Sequence, residues 1–362
     1  MTPMIELKQV SKRYGSVEAL APTDLTVRQG EFVTLLGPSG SGKSTLLNLI
    51  AGMASPSSGS IFVRGVDITH TPPSERGLGM VFQNYALMPH MTVFQNIAFP
   101  LRVRKLAKAE IRRRVMDVLE MVRLPHLAER KPKELSGGQQ QRVSLARCIV
   151  YNPALILLDE PLGALDKKLR EQMQVEIRRL HAQLGITMLN VTHDQDEALS
   201  MSDRIVLMNE GRVEQIATPN ELYRAPRTAF AADFIGTANL IPGTVLGFEN
   251  GHTVVSTPLG PLRGVSGDTA PANGSAVQLL IRPEYVRLRA AADAAHDGVV
   301  QGSGTLDDSI TLGSVVRHHV RITGDRQIIV QQQNDRAAGV YTRGDPVVLD
   351  WAPENCLIIA DG

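Results

Sequence analysis

Residues 37–44 read GPSGSGKS and directly follow the apolar run EFVTLL (31–36). After them comes TLLNLIAGM (45–53), with the apolar spacing of a short helix. Strand, glycine-rich loop and helix, in that order, restrict the possible folds more than any other feature of the chain. The loop fits the spacing G-x-x-x-x-G-K-[ST], in which glycines let backbone N–H groups converge on phosphate oxygens. The following helix adds the positive end of its dipole. On this reading Gly37, Pro38, Ser39, Gly40, Ser41, Gly42, Lys43, Ser44 and Thr45 form a phosphate cradle. Lys43 offers a compact charge to β and γ phosphates, and the Ser44 hydroxyl can ligate Mg²⁺. The alternative is a chance Gly/Ser loop, and the flanking strand and helix argue against it.

A second apolar run, ALILLDEP (154–161), is closed by two acids and a proline, as a buried parallel strand ends. Asp159 can hold the water shell of Mg²⁺. Glu160 can orient and deprotonate water for attack on the γ phosphate. Such an acidic pair often only closes a strand; a phosphate loop in the same chain gives it a purpose. His193 follows ITMLNVT (186–192) and Gln83 follows LGMVF (78–82). Both therefore stand at strand ends, where open α/β sheets gather ligands. A lone histidine can be purely structural, but here His193 can hydrogen-bond the γ phosphate and hold the attacking water in line. Gln83 can reach Mg²⁺ or that water through its amide. Tyr14, ahead of the phosphate loop in SKRYG, either stacks on adenine or is a buried or loop-packing tyrosine.

Residues 135–142, LSGGQQQR, open an otherwise good helix with two glycines and three amides. Capping explains Ser136 but not the glycines, which cost helix stability. Exposed N–H groups at a helix start make a second anion site. One ATP in a compact domain does not need two full cradles, so this one is expected to serve the ATP of another copy. The sequence leaves open whether the glutamines do more than solvate the helix face at that seam.

The rest of the chain reads more coarsely. Residues 1–30 predict short strands of a mixed sheet. The segment 103–124 spaces Ile111, Val115, Val118 and Val122 as an amphipathic helix, with Arg112–Arg114 on its solvated face. Leu169, Met173, Ile177, Leu180 and Leu184 mark a helix ending at Gly185. RIVLMNEGRVEQ predicts a hairpin around Asn209–Gly211. Near residue 236 the pattern changes to short runs separated by Gly, Pro and Asp, which predicts a small all-β domain of the oligomer-binding-barrel type. Residues 289–304 read as linker-like.

With 362 residues, two domains are expected. A content of 43% hydrophobic and 21% charged residues excludes wholesale disorder, and a net charge of +1 gives no global field for nucleic acid. Cys148 and Cys356 sit in no metal-spaced cluster and fit a reducing compartment without disulfides. No run of about 18 apolar residues occurs. The opening MTPMIELKQVSKRYG lacks the core of a signal peptide. A soluble, cytosolic protein is expected.

GPSGSGKST, Gln83, LSGGQQQR, LILLDE, LGALD and THD stand in the order and spacing of ABC-transporter ATPase subunits, which the chain resembles over residues 4–236. LSGGQ is that family's signature. The resemblance implies an α/β P-loop NTPase domain at 1–236, with a helical subdomain at about 88–153. It further implies a head-to-tail homodimer, each ATP lying between one copy's phosphate loop and the other's signature helix. Carried over, Tyr14 stacks on adenine and Gly37–Thr45 hold phosphate. Ser136, Gly137, Gly138 and Gln139 serve the partner's nucleotide, and Asp166 lies at the dimer seam. Ser44, Gln83 and Asp159 attend Mg²⁺, Glu160 is the general base, and His193 positions it. Gln83 and the following NYALMPHMTVFQNIAF sense nucleotide and touch membrane subunits.

Residues 237–362, with LLIRPEYVRL and GDPVVLDWAPENCLII, resemble the OB-like TOBE β domain appended to importer ATPases for sugars, iron, sulfate and polyamines. SERGLGMVFQNYALMPHMTVFQNIAFPL and DFIGTANLIPGTV are most similar to the spermidine/putrescine branch, with iron, aminoethylphosphonate or sugar import left open. The implied partners are two integral membrane permease subunits and an extracytoplasmic solute-binding protein, with no nucleic acid. The implied location is the cytoplasmic face of the inner (plasma) membrane. A soluble ABC protein of the translation type would carry two cassettes, and a chromosome type a long coiled coil between phosphate loop and signature. A small-molecule kinase would lack the signature and Glu160.

Overall fold

In the computed structural model the chain opens with β1 (Pro3–Tyr14) and β2 (Val17–Arg28), paired antiparallel. The short strands of a mixed sheet predicted there are instead two strands of 12 residues each. Register shifts between Leu7 and Val10 and between Val10 and Lys12, with Gln9 at φ 49°, interrupt the alternation that sequence reading takes for strand ends. β3 (Phe32–Leu36) then leads through the phosphate loop into α1 (Lys43–Ala51). β4 (Ser58–Val63) and β5 (Val66–Asp67) complete an antiparallel sheet in the order β2-β1-β4-β5.

β6 (Gly79–Val81) is followed by α2 (Val93–Val103), α3 (Lys108–Met121) and α4 (Gly137–Ile149). Next come β7 (Leu155–Asp159), α5 (Lys167–Leu184), β8 (Thr187–Thr192) and α6 (Gln195–Met201). The predicted hairpin follows as β9 (Arg204–Asn209) and β10 (Arg212–Ala217). The second sheet has the order β10-β9-β3-β8-β7-β6 and is parallel except at β10. This order sets the carboxyl ends of β3, β8, β7 and β6 in one row, which is where the site forms.

The central strands are buried on both faces, and their side chains alternate between two cores. Val33, Leu35, Leu157 and Val191 pack with Leu46 and Ile50 of α1 and with Leu7 and Leu20 of the antiparallel sheet. Phe32, Ile156, Leu158 and Met188 face the helices, against Ile97, Val115, Val143 and Ile177. The periodicity read over 103–124 belongs to α3, which starts at Lys108 because Lys105 takes a left-handed φ of 57° after α2. Glu110 pairs with Arg113 and Arg114 on its solvated face. α2, with Pro100 inside it, was not anticipated by periodicity; a capping box of Thr92 and Gln95 starts it. α5 ends at Gly185, φ 60°, as predicted. Among the described residues no helix is long and apolar enough to cross a membrane.

The structure describes residues 3–267, 270–290, 300–322, 326–335 and 341–360. They fall into two compact units, 1–220 and 221–362. α7 (Pro219–Arg224) spans the division and α8 (Ala229–Phe234) follows. Then come β11 (Asn239–Glu249), β12 (His252–Thr257), β13 (Gly260–Ser266), β14 (Ala276–Ile281) and β15 (Arg287–Ala290). β16 (Val300–Thr311), β17 (Val315–Arg321), β18 (Gln327–Gln333), β19 (Pro346–Trp351) and β20 (Cys356–Ala360) end the chain. β11-β12-β13-β20-β14 close into a barrel, and β15-β19-β16-β17-β18 form a further sheet. The linker-like reading of 289–304 is overturned at both ends, which are strand; residues 291–299 lie outside the described residues. The buried Arg282 guanidinium donates to the carbonyls of Tyr223, Ala232 and Thr237 and stacks on the Tyr223 ring, fastening the entry of the second unit to its barrel.

Candidate nucleotide site

Lys43 opens α1 and folds back over the loop. Its Nζ donates to the carbonyls of Gly37 and Pro38, each at 2.8 Å, and to Ser41 Oγ at 3.2 Å. Burial lowers its pKa from the ordinary lysine value, and the nearby Glu160 carboxylate opposes that shift. Two glycines are sterically required. A Cβ on Gly37 would stand 2.1 Å from the Met208 carbonyl oxygen, and one on Gly42 2.8 Å from that of Ala19. Gly42 caps α1 at φ 93°, with no side-chain cap and no acidic residue in the first turn. The helix start therefore keeps its N–H groups for an anion. Ala19 and residues 40–45 line a cavity of about 280 Å³. At the other end of α1, Arg76 donates to the carbonyls of Leu49 and Ile50 at 2.8 and 2.7 Å, closing the helix with a positive charge.

Glu160 leaves β7 with φ 44°, a left-handed conformation that a glutamate adopts at a cost. Its N–H donates to the Val191 carbonyl on β8 at 3.0 Å. Its carboxylate is held from two sides: Gln83 Nε2 donates to Oε2 at 3.2 Å, and His193 Nδ1 lies 3.1 Å from Oε1. The ends of β6, β7 and β8 thus meet at one carboxylate. Asp159, half-buried, has its carboxyl pushed up from the ordinary value, first by burial and then by the charge of Glu160.

The donor set of Ser44, Gln83 and Asp159 is hydroxyl, amide and carboxylate, all hard oxygen chemistry that suits Mg²⁺. The disfavoured charge on Asp159 beside Glu160 is what a cation would relieve. Among the described residues no group of three or more His, Cys, Asp or Glu could hold a metal alone. A magnesium ion held here would need further oxygens from substrate and water.

The signature helix is built differently from the expectation. Ser136 caps α4 in a capping box: its hydroxyl accepts from Gln139 N at 3.4 Å, and Gln139 Oε1 accepts from Ser136 N at 2.9 Å. Gln140 donates to the carbonyls of Pro132 and Leu135, both at 3.2 Å, and Gln141 is fully buried. The glutamines therefore do not simply solvate a face; one caps, one ties down the preceding turn and one is interior. The glycines, too, have a local reason. A Cβ on Gly138 would stand 2.9 Å from Leu169 Cδ1, and one on Gly137 3.2 Å from Leu165 Cδ2. Those leucines flank Asp166, which caps α5 through Leu169 N at 2.9 Å.

The structure brings Lys43, Gln83, Asp159, Glu160 and His193 together at one sheet edge. No hydrogen bond or ion pair among the described residues joins Ser136–Gln139 to the phosphate loop. Tyr14 ends β1, 53% exposed, with the Lys12 ammonium 4.8 Å from its ring centre, so the reading of a buried tyrosine is overturned. Three residues escaped the sequence reading. Arg170 donates to Asp194 Oδ2 at 2.9 Å and to the Leu165 carbonyl at 3.0 Å. Glu197, 2% exposed, accepts from Asn190 Nδ2 at 2.9 Å and Thr192 Oγ1 at 3.1 Å, and burial lifts its carboxyl to about 7. Only the aspartate of THD hinted at this cluster; nothing in the sequence marks Glu197 as interior.

Residues 20–163 match the ABC transporter family, and residues 279–359 match the TOBE domain. A spermidine/putrescine import ATP-binding protein of Thermobifida fusca is 47% identical, over 99% of this chain and 94% of the relative. One of Rubrobacter xylanophilus is 45% identical over 98% and 93%. Among solved structures, a component of an ABC transporter complex of Clostridium perfringens aligns with a TM-score of 0.58 at 30% identity, covering 61% of this chain and 91% of that one. A bacterial ABC transporter cassette solved as a dimer aligns at 0.54 and 37%, covering 60% and 99%. With its phosphate loop, strand-end carboxylates and capped glycine helix all present, the chain belongs to the ABC transporter family of ATP-binding proteins.

Proposed function

We propose that the chain is the ATP-hydrolysing, energy-coupling subunit of an importer of polyamines of the spermidine/putrescine type. The observation that carries the ATPase reading is the Glu160 carboxylate, held between Gln83 and His193 beside the phosphate loop. Residues 1–236 hydrolyse ATP, with a helical part at about 88–153, and residues 237–362 form the appended β domain. The cargo assignment rests on likeness to relatives named for spermidine/putrescine import, which extends through the β domain.

In this reading Lys43 exchanges the carbonyls of Gly37 and Pro38 for phosphate oxygens, while the N–H groups of the loop and α1 hold the rest of the phosphate chain. Tyr14 offers its exposed ring to the adenine. Glu160 accepts the proton of the attacking water at its carboxylate, and Gln83 and His193 fix the direction of its lone pairs. His193 also faces the γ phosphate. Ser44, Asp159 and Gln83 would hold Mg²⁺, which when bound would supply positive charge against that developing on the phosphates. Two copies stack head to tail, Ser136–Gln139 of each completing the other's site, with Asp166 at the seam. The dimer acts at the cytoplasmic face of the inner membrane, with two permease subunits and an extracytoplasmic solute-binding protein.

The test is reconstitution with the permease and solute-binding subunits in vesicles. Spermidine or putrescine outside should raise ATPase turnover. Stimulation by iron, an aminoethylphosphonate or a sugar instead would reassign the cargo, and absence of any integral membrane partner would sink the importer reading.

A further inference from the structure

His193 has an exposed side chain and owes its position to its neighbours in the chain more than to packing. Those neighbours are pinned. Thr192 Oγ1 donates to the buried Glu197 carboxylate and accepts from Asp194 N at 3.0 Å. Asp194 caps α6 through Glu197 N at 3.0 Å with Oδ1, and its Oδ2 receives Arg170 at 2.9 Å. The second arm of that guanidinium holds the carbonyl of Leu165, the residue before Asp166. Leu165 and Leu169 in turn fill the space left by Gly137 and Gly138 at the start of α4. A continuous set of contacts therefore runs within one chain from the signature helix, through the Asp166 loop and Arg170, to both flanks of His193.

We propose that Arg170 and Asp194 are a positioning pair that ties the Asp166 loop and the glycine start of α4 to His193, so that what docks on the signature of a chain sets the aim of that chain's own His193. The coupling of two nucleotides through this path rests on the head-to-tail reading above. The pair itself does not, because every contact named lies within one chain. The planar fork of arginine suits the task, since one rigid group reaches a carboxylate and a carbonyl on two loops at once. Asparagine at 194 keeps the helix cap and removes the charge, so it isolates the ion pair from the cap.

The experiment is a set of mutant cycles on the full-length chain, reading kcat, KM for ATP and Tm, with a mixture of Ser136→Arg and Lys43→Ala proteins beside it. Arg170→Gln and Asp194→Asn should each lower kcat roughly 10-fold through misaligned geometry, with KM within a factor of about two and Tm within a few degrees. The double variant should be no slower than either single one, and Arg170→Lys, which keeps the charge but lacks the fork, should recover only part of the turnover. In a His193→Ala background, Arg170→Gln should cost nothing further. Losses that multiply between Arg170 and Asp194, or that persist undiminished without His193, would overturn the positioning role. No recovery of turnover on mixing Ser136→Arg with Lys43→Ala protein would instead overturn the head-to-tail reading, and with it the coupling of two nucleotides, while the cycles still decide the pair.

Discussion

His193 Nδ1 stands 3.1 Å from Glu160 Oε1, while Gln83 Nε2 approaches the other oxygen of the same carboxylate at 3.2 Å. A carboxylate grasped at both oxygens cannot rotate freely, so its lone pairs point in one direction before substrate arrives. The backbone beneath it is fixed as well, by the N–H bond to Val191 and by a left-handed φ that the surrounding structure must enforce. That strain falls on the residue proposed as the base.

Glu160→Gln should lower ATP turnover on the order of 100-fold or more while ATP still binds, because the amide keeps the shape and loses the proton acceptor. Phosphate release and direct nucleotide binding, measured on the same preparation, check it. Near-normal hydrolysis would remove Glu160 from its role.

Ser136→Arg and Lys43→Ala should each abolish hydrolysis as pure proteins, yet regain part of it when mixed. In a head-to-tail dimer the mixed pair concentrates both defects in one site and leaves the other whole. An equimolar mixture should recover up to about a quarter of wild-type turnover, since half the dimers are mixed and each has one good site. If the signature served its own chain's nucleotide, mixing would restore nothing.

The parts of this site that lie along one short segment were legible in the sequence. The phosphate loop with Lys43 and the strand-end acids Asp159 and Glu160 are marked by apolar runs ending in specific residues. What was illegible depends on residues far apart in the chain. The bond of Gln83 to Glu160 spans two strand ends, and the burial of Glu197 follows from the packing of α6 over β8. The glycines of α4 have no purpose within their own helix because Leu165 and Leu169, which need the space, come from the loop before α5 and from α5 itself. Bulges hid the length of β1 for a similar reason: a register shift is set by the partner strand.

Stability should depend on pH through Glu197. Burial lifts its carboxyl from 4.5 to about 7, against the smaller pull of Asn190 and Thr192, so the folded state binds that proton more tightly than the unfolded chain. Its contribution is present in full below about pH 4.5 and is lost as pH rises through about 7, amounting to about 3 kcal/mol across that window. Glu197→Gln mimics the protonated group and should flatten this part of the profile. Urea unfolding of both proteins at pH 5 and pH 8 gives the difference. An identical pH dependence in the two would show that Glu197 does not titrate there.

Gly138→Ala separates packing from function at the signature. The added methyl would come within 2.9 Å of Leu169 Cδ1, too close to leave everything in place. The atom it meets is the end of a leucine side chain, which can turn at low cost, and alanine in a helix gains about 1 kcal/mol over glycine. The two effects offset each other, so Tm should change by only a few degrees. The displaced Leu169 also anchors the cap of Asp166, whose loop is tied to Asp194 through Arg170. Turnover should therefore fall at least about 10-fold in a protein that remains folded, because the start of α4 and the flanks of His193 both shift. Circular dichroism melting beside phosphate release decides between the alternatives. A large loss of Tm with normal turnover of the folded fraction would make Gly138 a packing residue and nothing more.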